Sequence, residues 1–308
     1  MENLAMEKGM AVEERQKVLH TLMLVMAAFL WGTTFVAQSI GANYVGAYTY
    51  LAGRSWIAVV VLFPVMKIFG HSKAEEVINK KSRLKIEIIG GCVSGLFLFT
   101  ASGLQQIGMA YTTTAKAGFI TALYVVFVPI VYLFIGGKVS SKIWVCVAMA
   151  VLGLYLLCIN GTLALEFGDG IILVSAVFFC LQIIAINHFV LKMNPIVLSW
   201  MQFLFTAIVS TIVMLVFEEV SVSNIITALP AIMYAGIFSS GVAYTLQIIG
   251  QRGLNPTIAS IAMSLESVFS AVSGWLILGE SMTFKECVGA MVMFLAIIIS
   301  QMPEKKKI

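Results

Sequence analysis

Ten apolar stretches interrupted by short polar ones run along the chain, at 18–40, 45–69, 86–107, 113–135, 141–160, 170–191, 196–217, 226–250, 255–279 and 283–302. Each is about twenty residues long, enough for a helix to cross a hydrocarbon core of about 30 Å. The first run is longer than the core of a signal peptide and has a counterpart opening the second half, so it reads as a retained span. Most interruptions leave room for little more than a turn, which makes consecutive helices antiparallel neighbours. The longest, 70–85, contains KAEEVINKKSRLK and sets the first helical hairpin apart from the rest of its half. The pattern predicts an all-α polytopic membrane protein of ten transmembrane helices.

The pattern also repeats. A shift of 142 residues aligns Leu104–Met149 with Leu246–Met291 without a gap, matching Leu104 to Leu246, Gln105 to Gln247, Gly108 to Gly250, Ala117 to Ala259 and Phe127 to Phe269. Five spans per repeat is an odd number, so the second copy enters the membrane from the opposite side. Two inverted five-helix repeats related by an axis in the membrane plane are an arrangement of many secondary transporters. The expected division is a cytoplasmic tail at 1–17, a first repeat at 18–160, a second at 161–302 and a basic cytoplasmic tail at 303–308.

Composition agrees with the periodicity. Hydrophobic residues make up 60% of the chain and charged ones only 11%, where a soluble domain carries about 25% charged residues. The mean hydropathy is +0.99. The net charge of +4 matters less than where the charges fall. Lys and Arg gather at the N-terminal tail, the 70–85 connection, Lys138, Lys142, Lys192, Arg252 and the C-terminal Lys305–Lys307. The alternate loops hold Glu166, Asp169, Glu218, Glu219, Glu280 and Glu286, with Lys285 the one base. By the positive-inside rule both termini are cytoplasmic and the protein is a multi-pass component of the plasma membrane.

The five cysteines all lie in apolar runs and read as small buried hydrophobes. No metal-ligand cluster, phosphate loop or nucleophile motif occurs. The chain is therefore expected to be no enzyme, to need no cofactor or metal, and to bind no nucleic acid.

The stretches AAFLWGTTFVA (27–37), AGRSWIAVVVLF (52–63), TTAKAGFITALYVVFVPI (113–130) and SLESVFSAVSGWLILGE (264–280) resemble the EamA family of the drug/metabolite transporter superfamily, over about Leu22 to Gln301. The resemblance implies ten helices in two inverted repeats, a central substrate cavity, and transport of small metabolites such as amino acids.

Candidate substrate-binding residues follow from polar groups deep in apolar spans. Glu266 lies about eleven residues into its span, about 16 Å along the helix. A lone acid at that depth costs about 2.5–3.5 kcal/mol, which a substrate ammonium, a coupling proton or an interhelical hydrogen bond would offset. Arg54 could hold a substrate carboxylate in two bonds, pair with Glu266, or serve packing. Lys116 sits one turn inside its span, where it either snorkels to water or draws anions into the cavity mouth. Trp31 offers a stacking face and one donor, and Gly32 beside it permits close helix approach. Gln182 matches the neighbourhood of Trp31 in the other repeat and needs an amide partner. Tyr124 matches Glu266 under the 142-residue shift. Gln105 and Gln247 match each other but lie toward span ends, where an interfacial position would account for them. Pro129 removes a backbone bond within the fourth span and serves as a hinge or a fixed bend.

The leading function is a secondary transporter of small polar or zwitterionic metabolites, exporting by alternating access. The alternative is a membrane-embedded enzyme or flippase acting on lipid-linked substrates. A channel would need a longer polar lining than the sequence offers. The partners expected are the lipid bilayer, a small-molecule substrate and a coupling proton. Ten spans enclose a cavity within one chain, so a monomer or weak homodimer suffices.

Overall fold

A computed structural model of the chain describes residues 2–70, 80–112, 114–158, 167–278 and 283–302. Among these residues the fold is helical throughout. The first repeat comprises α1 (Glu2–Ala42), α2 (Ala47–Phe69), α3 (Lys80–Met109), α4 (Thr114–Ala122), α5 (Tyr124–Phe134) and α6 (Ser141–Cys158). The second comprises α7 (Phe167–Phe189), α8 (Pro195–Phe217), α9 (Val222–Tyr234), a π-helical segment (Ala235–Ala243), α10 (Tyr244–Gln251), α11 (Pro256–Met263), α12 (Glu266–Leu278) and α13 (Phe284–Gln301). Eight stretches are long and apolar enough to cross a membrane, and Ser141–Leu156 and Cys287–Gln301 are shorter apolar helices. These are the ten expected spans, in the expected order.

Three spans are not single α-helices. The fourth breaks at Leu123 between α4 and α5, and the ninth at Ser264 and Leu265 between α11 and α12. The eighth widens into a π-helix for nine residues. Hydropathy reports how deep a residue sits and not whether its helix is continuous; a bend in the fourth span was expected at Pro129, but the break lies upstream of it, at Leu123. For the same reason two helices outrun their apolar cores. α1 continues upstream through the segment read as a tail, and α3 begins at Lys80 and not at 86, because Glu, Lys, Met, Ala and Arg are good helix formers outside the membrane as well. The 160/161 repeat boundary, most of the 70–85 connection, Glu166, Glu280 and the C-terminal lysines lie outside the described residues.

The repeats interlock, and their contacts come in related pairs. α3 packs on α7, and in answer α1 packs on the π segment and α10. α1 packs on α12, and α7 on α4 and α5. α2 and α6 meet their own counterparts, α8 and α13, while α4 meets α12 and α5 meets α11. The bundle thus has a termini end, where α2, α5, α7 and α10 finish, and an opposite end, where α1, α3 and α8 finish.

Polar ties hold the helix ends in place. At the opposite end the Glu218 carboxylate accepts the backbone N–H groups of Tyr48 and Thr49 at 2.8 Å each and the Thr49 hydroxyl at 2.7 Å. An anion on the positive end of α2 satisfies donors that the helix itself leaves free. Gly46 makes this possible, since a Cβ there would lie 2.3 Å from the Glu218 carboxyl carbon. At the termini end Asn194 caps α8 through Ile196 N and donates to the Phe69 carbonyl at 3.1 Å.

Candidate functional site

The two repeats enclose a cavity at mid-bundle with about 30 Å³ of space open to the centres of water molecules, room for about two waters. Its wall is symmetric in outline. Tyr124 opens α5 and Glu266 opens α12, at positions related by the 142-residue shift, and both line the cavity. Thr121 and Met263 form a second related pair, and Gln105 and Gln247 a third. On α1, Phe35 and Gln38 line the cavity, and on α7 so do Phe179 and Gln182. This gives a 144-residue offset for the first helix of each repeat. Gln182 is therefore the counterpart of Gln38, two turns from the Trp31 neighbourhood to which the sequence matched it.

Each helix break places its polar residue. At both breaks the ladder tightens to an i→i+3 bond, from Val126 N to the Leu123 carbonyl at 2.9 Å and from Ser267 N to the Ser264 carbonyl at 3.2 Å. Glu266 is the first residue of α12, where the exposed N–H groups present the positive end of a helix dipole. The α1 backbone lies directly against it. A Cβ on Gly32 would sit 2.8 Å from the Glu266 carbonyl oxygen and 2.5 Å from Phe269 Cβ. α4 approaches from the other side, and Ser267 Oγ donates to the Gly118 carbonyl at 2.9 Å.

Arg54 is 4% exposed and lines the same cavity. Its Nε donates to Ser240 Oγ and its Nη2 to Ser239 Oγ, both at 2.8 Å. Both serines belong to the π segment, Ala235–Ala243, so two adjacent residues of that segment hold one guanidinium. Gly236 lets that segment lie against Ile57 and the Arg54 carbonyl. Among the described residues no carboxylate lies within ion-pair distance of Arg54, and no base within that distance of Glu266. Among the described residues the cavity therefore carries one base and one acid that do not pair with each other.

Three polar atoms on this wall are buried without a hydrogen-bond partner: Trp31 Nε1, the Tyr124 hydroxyl and Glu266 Oε1. The Tyr124 hydroxyl and the Glu266 carboxyl face each other without closing a hydrogen bond of ordinary geometry. Most buried polar atoms in folded proteins are paired, so three orphans on one cavity mark a place for something else. Trp31 is held edge-on to Tyr244, with ring centroids 4.8 Å apart.

Five of the six sequence candidates, Trp31, Arg54, Tyr124, Gln182 and Glu266, thus share one cavity. Lys116 does not reach it. Its ammonium pairs at 3.7 Å with Asp169 near the start of α7, a carboxylate that also accepts the Thr112 hydroxyl at 2.6 Å. Gln105 and Gln247 are not interfacial; they are 6% and 1% exposed and face inward. Ser239 and Gln38 lacked any sequence signal beyond small or polar character in an apolar span, and Phe35 is one aromatic among many in such spans.

Residues 19–159 and 166–302 each match the model of the EamA-like transporter family. A protein of Archaeoglobus fulgidus described as an uncharacterized transporter is 29% identical over 279 residues, which cover 90% of this chain and 84% of the relative. The uncharacterized transporter YoaV of Bacillus subtilis is 25% identical over 299 residues, 91% of this chain and 95% of that one. A crystal structure superposes with a TM-score of 0.73 at 17% identity, covering 91% of this chain and 97% of its own, and so shares the fold.

Proposed function

We propose that this chain, which belongs to the EamA-like transporter family, carries a small zwitterionic metabolite of the amino-acid type by alternating access and exports it across the plasma membrane. The observation that carries the reading is the buried base and the buried acid on one cavity wall, Arg54 and Glu266, which do not pair with each other. A zwitterion supplies the missing partner to each, with its carboxylate toward the guanidinium and its ammonium toward the Glu266 carboxyl. The Trp31 indole N–H and the Tyr124 hydroxyl then complete hydrogen bonds that are otherwise unmade. Each such bond restores about 1–3 kcal/mol of desolvation cost.

A cavity with room for about two waters holds no metabolite in this conformation, so binding requires one end of the bundle to part. Inverted repeats supply that motion, since each half can take the arrangement of the other. Basic residues cluster at the termini end and acids at the other, which favours cytoplasmic termini.

The test is efflux from proteoliposomes loaded with a mixed amino-acid pool, read by mass spectrometry, for wild type and Glu266→Gln. Saturable loss of one compound class, abolished in the variant, supports the reading. Equal loss from both proteins removes Glu266 from the site. Release only of monovalent cations or anions replaces the zwitterion with a charged substrate. A second reading rests on the contact between Tyr124 and Glu266: a carboxyl with no basic partner and a hydroxyl beside it can carry a proton. In that case a transmembrane pH gradient drives uphill flux in wild type and not in Glu266→Gln.

A further inference from the structure

Two layers of glutamines cap the cavity, one at each end, and they are counterparts. Toward the opposite end, Gln38 Nε2 donates to Gln105 Oε1 at 3.0 Å and to Gln106 Oε1 at 3.2 Å. Gln105 Nε2 passes the chain on to Thr121 Oγ1 at 2.9 Å, and Gln106 Nε2 returns to the Gln38 carbonyl at 3.1 Å. Toward the termini end, Gln247 Nε2 donates to Gln182 Oε1 at 3.2 Å. Gln182 Nε2 lies 3.5 Å from Gln247 Oε1 and 3.4 Å from Gln202 Oε1. Gln38 and Gln182 occupy equivalent positions, as do Gln105 and Gln247. The chain thus builds one amide-to-amide bridge twice, in opposite orientation.

We propose that these bridges are the two gates of the transport path and that the termini-side gate, Gln182–Gln247, opens first. This rests on the alternating-access reading above. Position carries the first part. Gln38 and Gln105 line the cavity on one side of their layer, and on the other side Gln106 lines a separate vestibule of about 230 Å³, together with Gly46, Ala110 and Glu218. The amide layer thus has one face on the cavity and the other on the vestibule. Such a layer suits a gate. Its bonds are modest and, when broken, each amide finds water, so separation exposes no apolar surface.

The second part rests on a difference between the layers. Around Gln38 the four hydrogen bonds measure 2.9–3.2 Å. Around Gln182 two of the three contacts reach 3.4–3.5 Å, where hydrogen bonds weaken. Gln202 Nε2 and Gln251 Oε1, buried in the same region, have no partner at all. Water entering from the termini end relieves those two orphans, and no such relief awaits at the Gln38 layer.

The experiment reads access to the cavity and needs no substrate. Met263→Cys, placed between the layers, is made in a chain whose five cysteines are replaced, and is labelled in oriented membrane vesicles by a membrane-impermeant thiol reagent added from one side or the other. With both gates intact, labelling from the termini side is the faster. Gln38→Ala raises labelling from the opposite side about three- to ten-fold, the effect of losing one or two ordinary hydrogen bonds, and lowers it from the termini side. Gln182→Ala does the reverse. Gln105→Ala and Gln247→Ala repeat the two results independently, with thermal unfolding as the check on folding. A further arm removes no amide: cysteines at 38 and 105 joined by a short bis-thiol linker slow labelling from the opposite side alone. Equal changes from both sides, or none, overturn the gates. Faster labelling of the parent from the opposite side overturns the order of opening. Side-specific labelling without solute flux leaves the gates standing and removes the transport reading, and saturable flux with unchanged labelling does the opposite.

Discussion

The corner between α4 and α5 and the corner between α11 and α12 have the same backbone and opposite chemistry. Each is a helix interrupted at mid-bundle, at positions the repeat makes equivalent, and each aims its first residue after the break into one cavity. In the first repeat that residue is Tyr124 and in the second it is Glu266. Thr121 stands against Met263 in the same way. Symmetry therefore sets the frame, a broken helix on each side and an amide layer at each end. Asymmetry sets the charge. The acid belongs to the second repeat, and the base, Arg54, to the first, held by two serines of the π segment of the second repeat. A symmetric cavity would have no way to orient an ammonium and a carboxylate; this one has two distinct poles.

Glu266→Gln erases the difference in charge and has the largest expected effect. A desolvated charge contact is worth about 2–4 kcal/mol, so apparent affinity for a zwitterion falls about 30- to 1,000-fold, measured as the half-saturating concentration for flux. Folding should survive, because the amide keeps the shape of the carboxyl and can meet the same neighbours. Thermal unfolding in detergent checks this. A variant that transports normally would leave the two corners equivalent in function as well as in backbone.

Gly32→Ala tests the frame and not the charge. The added methyl meets backbone and Cβ atoms of the second corner at 2.5–2.8 Å, and a helix cannot step aside without moving its neighbours. Overpacking of this kind costs about 1–3 kcal/mol, read as a lower unfolding temperature. Gly118→Ala is the control, since its methyl would meet Ser270 at 3.4 Å and the Ser267 Cα at 3.8 Å, ordinary van der Waals contact, and its unfolding temperature should change little. Equal destabilisation by both would mean that α1 and α12 are not held as tightly as their contact implies.

How much of this was legible beforehand differs by level. Ten spans and their inversion follow from hydropathy and a gapless internal match, because membrane thickness and odd repeat number leave few choices. The depth of Glu266, Arg54 and Trp31 was also readable, since a charge or indole in an apolar run has no cheap place to go. The amide layers were not. Gln105 and Gln247 fall near span ends, where a glutamine is unremarkable, and only the packing of α1 on α3 and of α7 on α10 turns them inward. Gln182 found the wrong counterpart because the first helices of the two repeats are offset by 144 residues and the later ones by 142. Lys116 was placed correctly in depth, but its partner Asp169 is over fifty residues away in sequence, and no local pattern announces it.

Tyr124→Phe separates binding from stability at the first corner. The hydroxyl is buried and unpartnered, so its removal should leave the unfolding temperature unchanged or raise it, since an unsatisfied polar group is lost. Flux should fall about three- to ten-fold if the hydroxyl completes its bond only to substrate, the yield of one ordinary hydrogen bond. A fall in stability together with flux would instead place the hydroxyl in the frame.

Pro129→Ala should have the smallest effect, and the reason lies in the comparison itself. A proline five residues into α5 invites the view that it breaks the span. Yet the break sits at Leu123, upstream of it, and the ninth span breaks at the equivalent place with Ala271 where the fourth has Pro129. A break that occurs at the equivalent place without a proline does not need the proline. Replacing Pro129 restores one backbone donor within α5, a gain or loss of about 1 kcal/mol at most. Flux should stay within about two-fold, a change of about half a kcal/mol on the scale of a single such bond. A large loss of flux with normal folding would make the proline a hinge peculiar to the first repeat, and would show that the two halves move by different means.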